Sequence, residues 1–591
     1  MRDVIVIGAG GGGPIVAKEL AGRGLSVLLL EAGPRHARPR EEWTHFENDA
    51  NNPLTGFLRF GPADRSRPAW FRETPQNSFV FQLSGVGGTT QHYFANCPRA
   101  YPGVFLGYDG PDRDAYDTEH LFPFGYGELA PYYRWVEATL PVQTAAMGKK
   151  ERRFFDGCET LGIPVQTTKT TLGDSYRPQE NAILQPGGNA GLTRDVSQLR
   201  FPLATGCTFC GYCLQGCMEP GRAPRNLIAK RSTDNSYVPM ALTADAWSPG
   251  GVPITLIADA FVTRIHTEQR AGELVASGVT WRVGATGEQH TETAQVVVLA
   301  GGTTESPRLW LNSGLPDPNG WVGRGYTDHY FDFVVGLFDD DTDSSKGAAS
   351  SARAEFPGRG GMENIGLSPA LQAFAMQLSD SGSRGFYSNG RGMTGPWDGP
   401  AGRPIGPELK DALMHGVNRL LNILIITDDD VQAENRVMLS AFPGDEHGPV
   451  PKVIFDAASR SPRTLANREF LARKATELLR GAGATKVFRL DWGPLILHVQ
   501  STMRMGLREE DSVLDDSAEA RWVKRLFIAD NSALANALGG PNPTLTTQAL
   551  ATRTAEKIFA RYFGGDPWVG RESPVVSTDD AVTQAVIDRG L

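Results

Sequence analysis

A chain of 591 residues exceeds what one hydrophobic core holds, so two structural domains, interleaved in sequence, are expected. With 40% hydrophobic and 21% charged residues the composition is that of a globular protein, and a net charge of −9 gives no electrostatic reason to expect a nucleic-acid partner. No apolar run approaches the roughly twenty residues of a membrane span, and the first strand pattern begins at the third residue with no room for a secretion signal ahead of it, so a soluble, cytoplasmic protein is expected.

The first thirty-three residues, RDVIVIGAGGGGPIVAKELAGRGLSVLLLEAG, predict strand, tight turn, helix and second strand, because the apolar pattern changes from a continuous run to a helical stripe and back. Gly8, Gly10 and Gly13 stand in G-x-G-x-x-G register, which brings backbone N–H groups and a helix N-terminus close to a pyrophosphate. Glu31 closes the second strand, where its carboxylate is placed to accept hydrogen bonds from a ribose hydroxyl pair and to repel a 2′-phosphate. The motif predicts an adenine dinucleotide without that phosphate and does not separate FAD from NAD.

Residues 34 to 78 read as a polar loop covering the nucleotide or the mouth of a site. The segment LSGVGGTTQHYFANCPR, residues 83 to 99, has the glycine-rich composition of a backbone that approaches a flat cofactor, with His92 at its middle. Cys207, Cys210, Cys213 and Cys217 follow the C-x2-C-x2-C-x3-C spacing of bacterial ferredoxins. One such run supplies three ligands to a cluster and needs a remote fourth, and Met218 replaces the usual following proline. A glycine- and cysteine-rich structural loop is therefore preferred over an iron–sulfur cluster or a zinc site, and no metal is assigned.

Residues 293 to 315, TAQVVVLAGGTTESPRLWLNSGL, predict the last strand of the dinucleotide sheet, a Gly-Gly turn and a helix opened by Ser306 and Pro307. Short strand candidates at 331 to 338, 421 to 427, 435 to 440 and 452 to 455 suggest an antiparallel sheet. Residues 340 to 364, rich in Ser, Gly and Asp, read as a mobile lid. The run Asp428 to Asp430 reads as a solvated turn, since consecutive acids on an extended chain cannot all face one ion. Residues 461 to 484 predict a capped amphipathic helix ending in glycine, and the strand after it leads to His498 in LHVQSTMRMG. Forty-four positions later Asn542 stands in GGPNPTLTTQALATRTA.

These motifs, in this order, identify the chain by resemblance as a member of the glucose–methanol–choline (GMC) flavoprotein oxidoreductases, with the likeness spanning nearly its whole length. It most resembles pyranose oxidases and their bacterial glycoside 3-oxidase relatives, because TQHYFANCPR lines up with the segment that carries a flavin-linking histidine. His92 falls on that histidine, while Thr90, Gln91 and Tyr93 depart from the fungal pattern and Met503 stands where the fungal enzymes have a second histidine. The resemblance implies an α/β fold: a Rossmann-like FAD-binding domain (1–100, 195–330 and 490–591) and a substrate-binding domain on an antiparallel sheet flanked by helices (101–194 and 331–489). It implies FAD held by Gly8, Gly10, Gly13, Glu31, Gly88, Thr90, His92, Asn96, Asp530, Asn542 and Thr544, with a covalent link through His92 left open.

The chemistry follows from residue types. Removing hydride from a carbinol carbon requires that the hydroxyl proton leave too, and a neutral imidazole near pH 7 is well matched as the base, a role given to His498. Asn542 can hold the substrate oxygen without titrating, and is expected to cap a helix from 543 to 563 with Pro543 at its first position. The implied substrate is a sugar or glycoside oxidised at a secondary ring hydroxyl, with dioxygen or a quinone as acceptor and a monomer as the working state. An iron–sulfur dehydrogenase subunit with a cytochrome partner, or an oxidase of another alcohol, is the alternative.

Overall fold

The computed structural model describes residues 1–36, 51–52, 56–61, 69–76, 78–185, 206–221, 223–283, 287–380, 395–398, 406–455, 460–491 and 495–591. Its first layer is a parallel sheet of Thr255–Ile257, Val27–Leu30, Arg2–Ile7, the second half of Glu288–Leu299, and Leu526–Ile528. Apart from the half-buried edge strand Thr255–Ile257 and the first two residues of Arg2–Ile7, these are apolar runs buried on both faces, as the continuous apolar pattern requires. Helix Gly13–Ala21 packs on the sheet between helices Tyr237–Leu242 and Thr544–Tyr562. Glu288–Leu299 is not the last strand, because Leu526–Ile528, supplied from the far end of the chain, pairs outside it. The first half of Glu288–Leu299 turns away to pair antiparallel with Glu273–Val283, which pairs with Ala260–Arg270.

The helix after this strand is Gly302–Asn312, so Pro307 lies inside it rather than at its start. Proline removes the hydrogen bond to the carbonyl four residues back, that of Thr303, and the Thr502 hydroxyl donates to this carbonyl instead at 2.7 Å.

The second layer is a six-stranded antiparallel sheet in the order Lys486–Arg489, Asp332–Leu337, Leu420–Thr427, Gly360–Ile365, Ala352–Phe356, Ser175–Pro178. Its central strand alternates: Leu421, Ile423 and Ile425 pack against helix Pro462–Gly481, while Leu420, Leu424 and Ile426 form part of a second apolar cluster on the opposite face. The helix is capped as expected, with Ser461 Oγ accepting the Thr464 N–H at 3.1 Å.

Several expectations are corrected here. Residues 340 to 364 are not a lid: they contribute strands Ala352–Phe356 and Gly360–Ile365, every residue of which is buried. Their polar sequence misleads because Arg353 pairs with both Glu355 and Glu363 inside the sheet. The candidates near 435 and 452 do not join this sheet. Arg436–Leu439 and Pro451–Ile454 belong to a third one, with Trp70–Glu73, Phe57–Phe60 and Asn51–Asn52. Part of the loop expected over 34 to 78 is therefore strand, and the rest of it lies largely outside the described residues. Asp428 and Asp429 are buried and paired with Arg463 and Arg460, not solvated.

Candidate active site

One long cavity runs from the glycine loop to His498, between the first two layers. At the loop, Gly8 takes φ +103°, and a Cβ there would lie 2.2 Å from the Ala300 carbonyl oxygen. A Cβ at Gly12 would lie 1.7 Å from the Ala529 oxygen and one at Gly13 2.0 Å from the Gly8 oxygen, whereas one at Gly10 would meet no protein atom within 4 Å. Glycine is thus required at three positions for close packing and at Gly10 only by whatever occupies the cavity. Gly8, Gly10 and Gly12 line the cavity; Gly13 sits between helix and strand and does not. Glu31 lines it as well, accepting the N–H groups of Ala9 (2.7 Å), Gly33 (2.8 Å) and Gly85 (3.1 Å). Burial pushes its carboxyl up to about 7 against those three donors.

Gly88, Thr90, His92 and Asn96 all reach the cavity. Gly88 is pressed against Gly10, where a Cβ would fall 2.8 Å from the Gly10 Cα. Burial, with Lys230 nearby, holds the His92 imidazole down at about 3, so it is neutral. Lys230 Nζ donates to the carbonyls of Gln91 (2.8 Å), Tyr93 (2.9 Å) and Cys213 (2.7 Å), pinning the His92 segment to the cysteine loop. In that loop Cys207, Cys210, Cys213 and Cys217 are free thiols, and among the described residues no three His, Cys, Asp or Glu side chains converge as a metal site. Leu214, between the last two cysteines, lines the cavity.

Asp530 carries three donors, the N–H groups of Gly302 (2.9 Å) and Ser532 (2.7 Å) and the Ser306 hydroxyl (2.6 Å). It ties the end of the Leu526–Ile528 strand to the start of helix Gly302–Asn312 and lines the cavity. Helix Thr544–Tyr562 points its N-terminal residues Pro543, Thr544 and Thr547 into the same space, a favourable place for negative charge.

His498 and Asn542 both face the cavity. The His498 backbone N–H donates to Asp328 Oδ1 at 2.8 Å, its ring packs edge-on to Phe331 at 4.9 Å, and its Nδ1 lies 3.0 Å from Nδ1 of His329. Burial, with His329 and then Arg353 beside it, holds the imidazole well below its ordinary range, so it is neutral. Asn542 does not cap its helix, whose N-cap residue is Pro543; its Oδ1 instead accepts from Arg353 Nη1 at 2.9 Å. Arg353 also donates to Glu363 (2.7 Å) and Gln179 (3.1 Å), and Asn96 donates to the other Glu363 oxygen at 2.8 Å. With its oxygen engaged, Asn542 has its NH2 group left for the cavity. Sequence reasoning missed His329, Asp328, Arg353 and Glu363. Asp328 and His329 stand together in YTDHYF and are legible as polar residues beside a buried strand; Arg353 and Glu363 were hidden in the segment read as a lid.

Models of the GMC oxidoreductase family match residues 70–331 and 452–551. The chain belongs to this family. A lycopene cyclase model matches residues 3–59 and covers no more than the dinucleotide turn and its surroundings. Similar proteins are a 2-methyl-1,2-propanediol dehydrogenase of Mycolicibacterium austroafricanum, 26% identical over 95% of each chain, and a paromamine 6′-oxidase of Streptomyces fradiae, 26% identical over 94% of this chain and 91% of the relative. A fructose dehydrogenase large subunit of Gluconobacter japonicus is 24% identical over 94% and 97%. Formate oxidase of Aspergillus oryzae shares the fold, with a TM-score of 0.59 at 13% identity over 95% of this chain and 99% of that one.

GMC oxidoreductases bind FAD, and the residues present fit it. The glycine loop leaves room beside Gly10, Glu31 stands at the strand end, and the N-terminus of helix Thr544–Tyr562 opens on the cavity that His498 and Asn542 also line. Met503 is wholly buried in the main core and does not line the cavity. Among the described residues no helix is long and apolar enough to cross a membrane.

Proposed function

We propose that this GMC oxidoreductase oxidises a secondary ring hydroxyl of a sugar or glycoside to a ketone, with dioxygen or a quinone as the final acceptor. The reading rests on one observation: an uncharged imidazole, His498, and the amide of Asn542 face the same cavity that begins at the glycine loop. Bound FAD supplies the hydride acceptor. His498 takes the hydroxyl proton, and the Asn542 NH2 donates to the substrate oxygen, holding it beside the imidazole and steadying the charge that grows on it. The relatives named for paromamine and fructose support a sugar-class substrate. The division into an FAD-binding domain of 1–100, 195–330 and 490–591 and a substrate domain of 101–194 and 331–489 is part of the same reading.

A second reading is favoured by the chamber wall. Phe81, Phe94, Phe333, Leu424, Leu495 and Leu497 line the cavity and belong to one apolar cluster, which also holds Phe331 against the His498 ring. Such a wall suits an alcohol with an apolar body better than a bare sugar. Visible spectra of the anaerobic holoenzyme decide between the two. Bleaching of the flavin bands by a simple glucoside, with recovery in air or on adding quinone, supports the sugar reading; bleaching only by an aliphatic or aromatic secondary alcohol replaces it with the second. No bleaching by either class overturns both. Retention of yellow colour on the denatured polypeptide tests the covalent link through His92, and iron analysis tests a cluster at Cys207 to Cys217.

A further inference from the structure

We propose that His329 is a positioning residue that sets the tautomer of His498, fixing the proton on Nδ1 and leaving Nε2 with a lone pair toward the cavity. The inference rests on His498 being the base. It starts from the far end of the chain of contacts. His329 Nε2 lies 3.0 Å from the carbonyl oxygen of Ala537, which can only accept, and 3.4 Å from the Gln500 amide nitrogen, which can only donate; the shorter contact decides, and this nitrogen carries the hydrogen. His329 is wholly buried, beside the charges of Arg353 and Arg460, and is held down at about 3, so it is neutral and has one N–H only. Its Nδ1 is therefore a lone pair. That lone pair faces His498 Nδ1 at 3.0 Å, a distance at which one of the two nitrogens must donate, and the only hydrogen left to do so is on His498.

Two imidazoles in contact thus act in one direction. The Ala537 carbonyl orients His329, and His329 orients His498. When a substrate hydroxyl gives its proton to His498 Nε2, the O–H bond breaks, the new N–H bond forms, and the imidazolium keeps its Nδ1–H pointed at the His329 lone pair. A carboxylate in that place would hold the proton more strongly; a neutral imidazole keeps the base weak and the histidine pair uncharged before substrate arrives. The titratable and charged groups facing the pair are Asp328, which accepts the His498 backbone N–H and whose carboxyl burial raises to about 8, and the Arg353 and Arg460 guanidiniums.

The position also explains a polar residue that is otherwise unaccounted for. His329 does not line the cavity, yet it is fully buried, with Phe331 at 6.0 Å and the Gln500 amide nitrogen 3.4 Å from its Nε2.

Two-bond 15N–1H correlation spectra of histidine-labelled holoenzyme, assigned with H498Q and H329N, read the tautomers directly and need no substrate. The expected result is His498 protonated on Nδ1 and His329 on Nε2; His498 protonated on Nε2 would overturn the proposal. Anaerobic flavin reduction by whichever alcohol bleaches the wild type gives the second readout. His329→Leu should lower the rate about 10- to 100-fold and move the acid limb of its pH profile to lower pH. His329→Asn, whose Oδ1 replaces the Nδ1 lone pair, should recover most of the rate and the limb. An unmoved limb in a folded, FAD-loaded H329L protein also overturns the assignment. Failure of every alcohol to bleach the wild type would sink the functional reading while leaving the tautomer measurement intact.

Discussion

At the scale of single residues, the site is governed by what buried polar groups find as partners. His329 and His498 are held neutral by desolvation, so the folded chain resists protonating them. Their contribution to stability is present above the ordinary histidine value of about 6.5 and is lost as pH falls toward the folded value, about 3 for His329. The prediction is a wild-type advantage over H329N in urea denaturation at pH 7 that narrows, on the order of a few kcal/mol at most, as pH is lowered to 4. Glu31 acts in the opposite sense. Its carboxyl is raised to about 7, so its contribution is full below about 4.5 and is lost as pH rises through 7, and comparing E31Q with the wild type across pH 5 to 8 should show that slope. The glycines give a cleaner contrast. Gly12→Ala drives a Cβ into the Ala529 carbonyl and should lower the melting temperature of the apoprotein. Gly10→Ala meets no protein atom and should leave that temperature unchanged while depleting bound FAD, measured as flavin absorbance per protein.

At the scale of elements, the two inner strands Ala352–Phe356 and Gly360–Ile365 carry the unexpected weight. Arg353 stands between Glu355 and Glu363 with all three wholly buried, and its guanidinium holds the Asn542 oxygen. Removing only the cation leaves two buried carboxylates uncompensated, so Arg353→Met should destabilise the protein by about 3–5 kcal/mol in chemical denaturation. Adding Glu363→Gln should restore part of that loss, whereas flavin reduction should stay slow in the double variant because Asn542 is no longer oriented. Charge pairing of this kind also made the strands illegible. A run of Ser, Gly, Arg and Glu has the composition of a loop, and it becomes sheet only because a partner strand, Leu420–Thr427, comes in from some sixty residues further on.

At the scale of the whole molecule, the cavity exists only because distant segments close it: the N-terminal glycine loop, the His92 segment, the antiparallel sheet and the C-terminal His498 and Asn542 segments. A ligand that bridges them stabilises the assembled chain by mass action, about 2.7 kcal/mol when present at a hundred times its dissociation constant. FAD added to apoprotein should therefore raise the melting temperature by about 2–4 °C in differential scanning calorimetry, and Gly10→Ala should abolish the rise.

The first βαβ unit and the capped helix at 462 were legible from the chain alone, because each is encoded by local rules: an apolar period and a capping serine. The glycine register and Glu31 likewise carry their meaning within about thirty residues. Which strands pair, and which polar residues are buried, is decided by contacts between segments hundreds of positions apart. Local composition could not show that Leu526–Ile528 extends the N-terminal sheet, that Asp428 and Asp429 lie under arginines, or that the Asn542 amide is claimed by Arg353 rather than by its own helix. His329 belongs to the same class. A histidine's tautomer depends on which atoms face its two nitrogens, and only the folded chain brings the Ala537 carbonyl to one and His498 to the other.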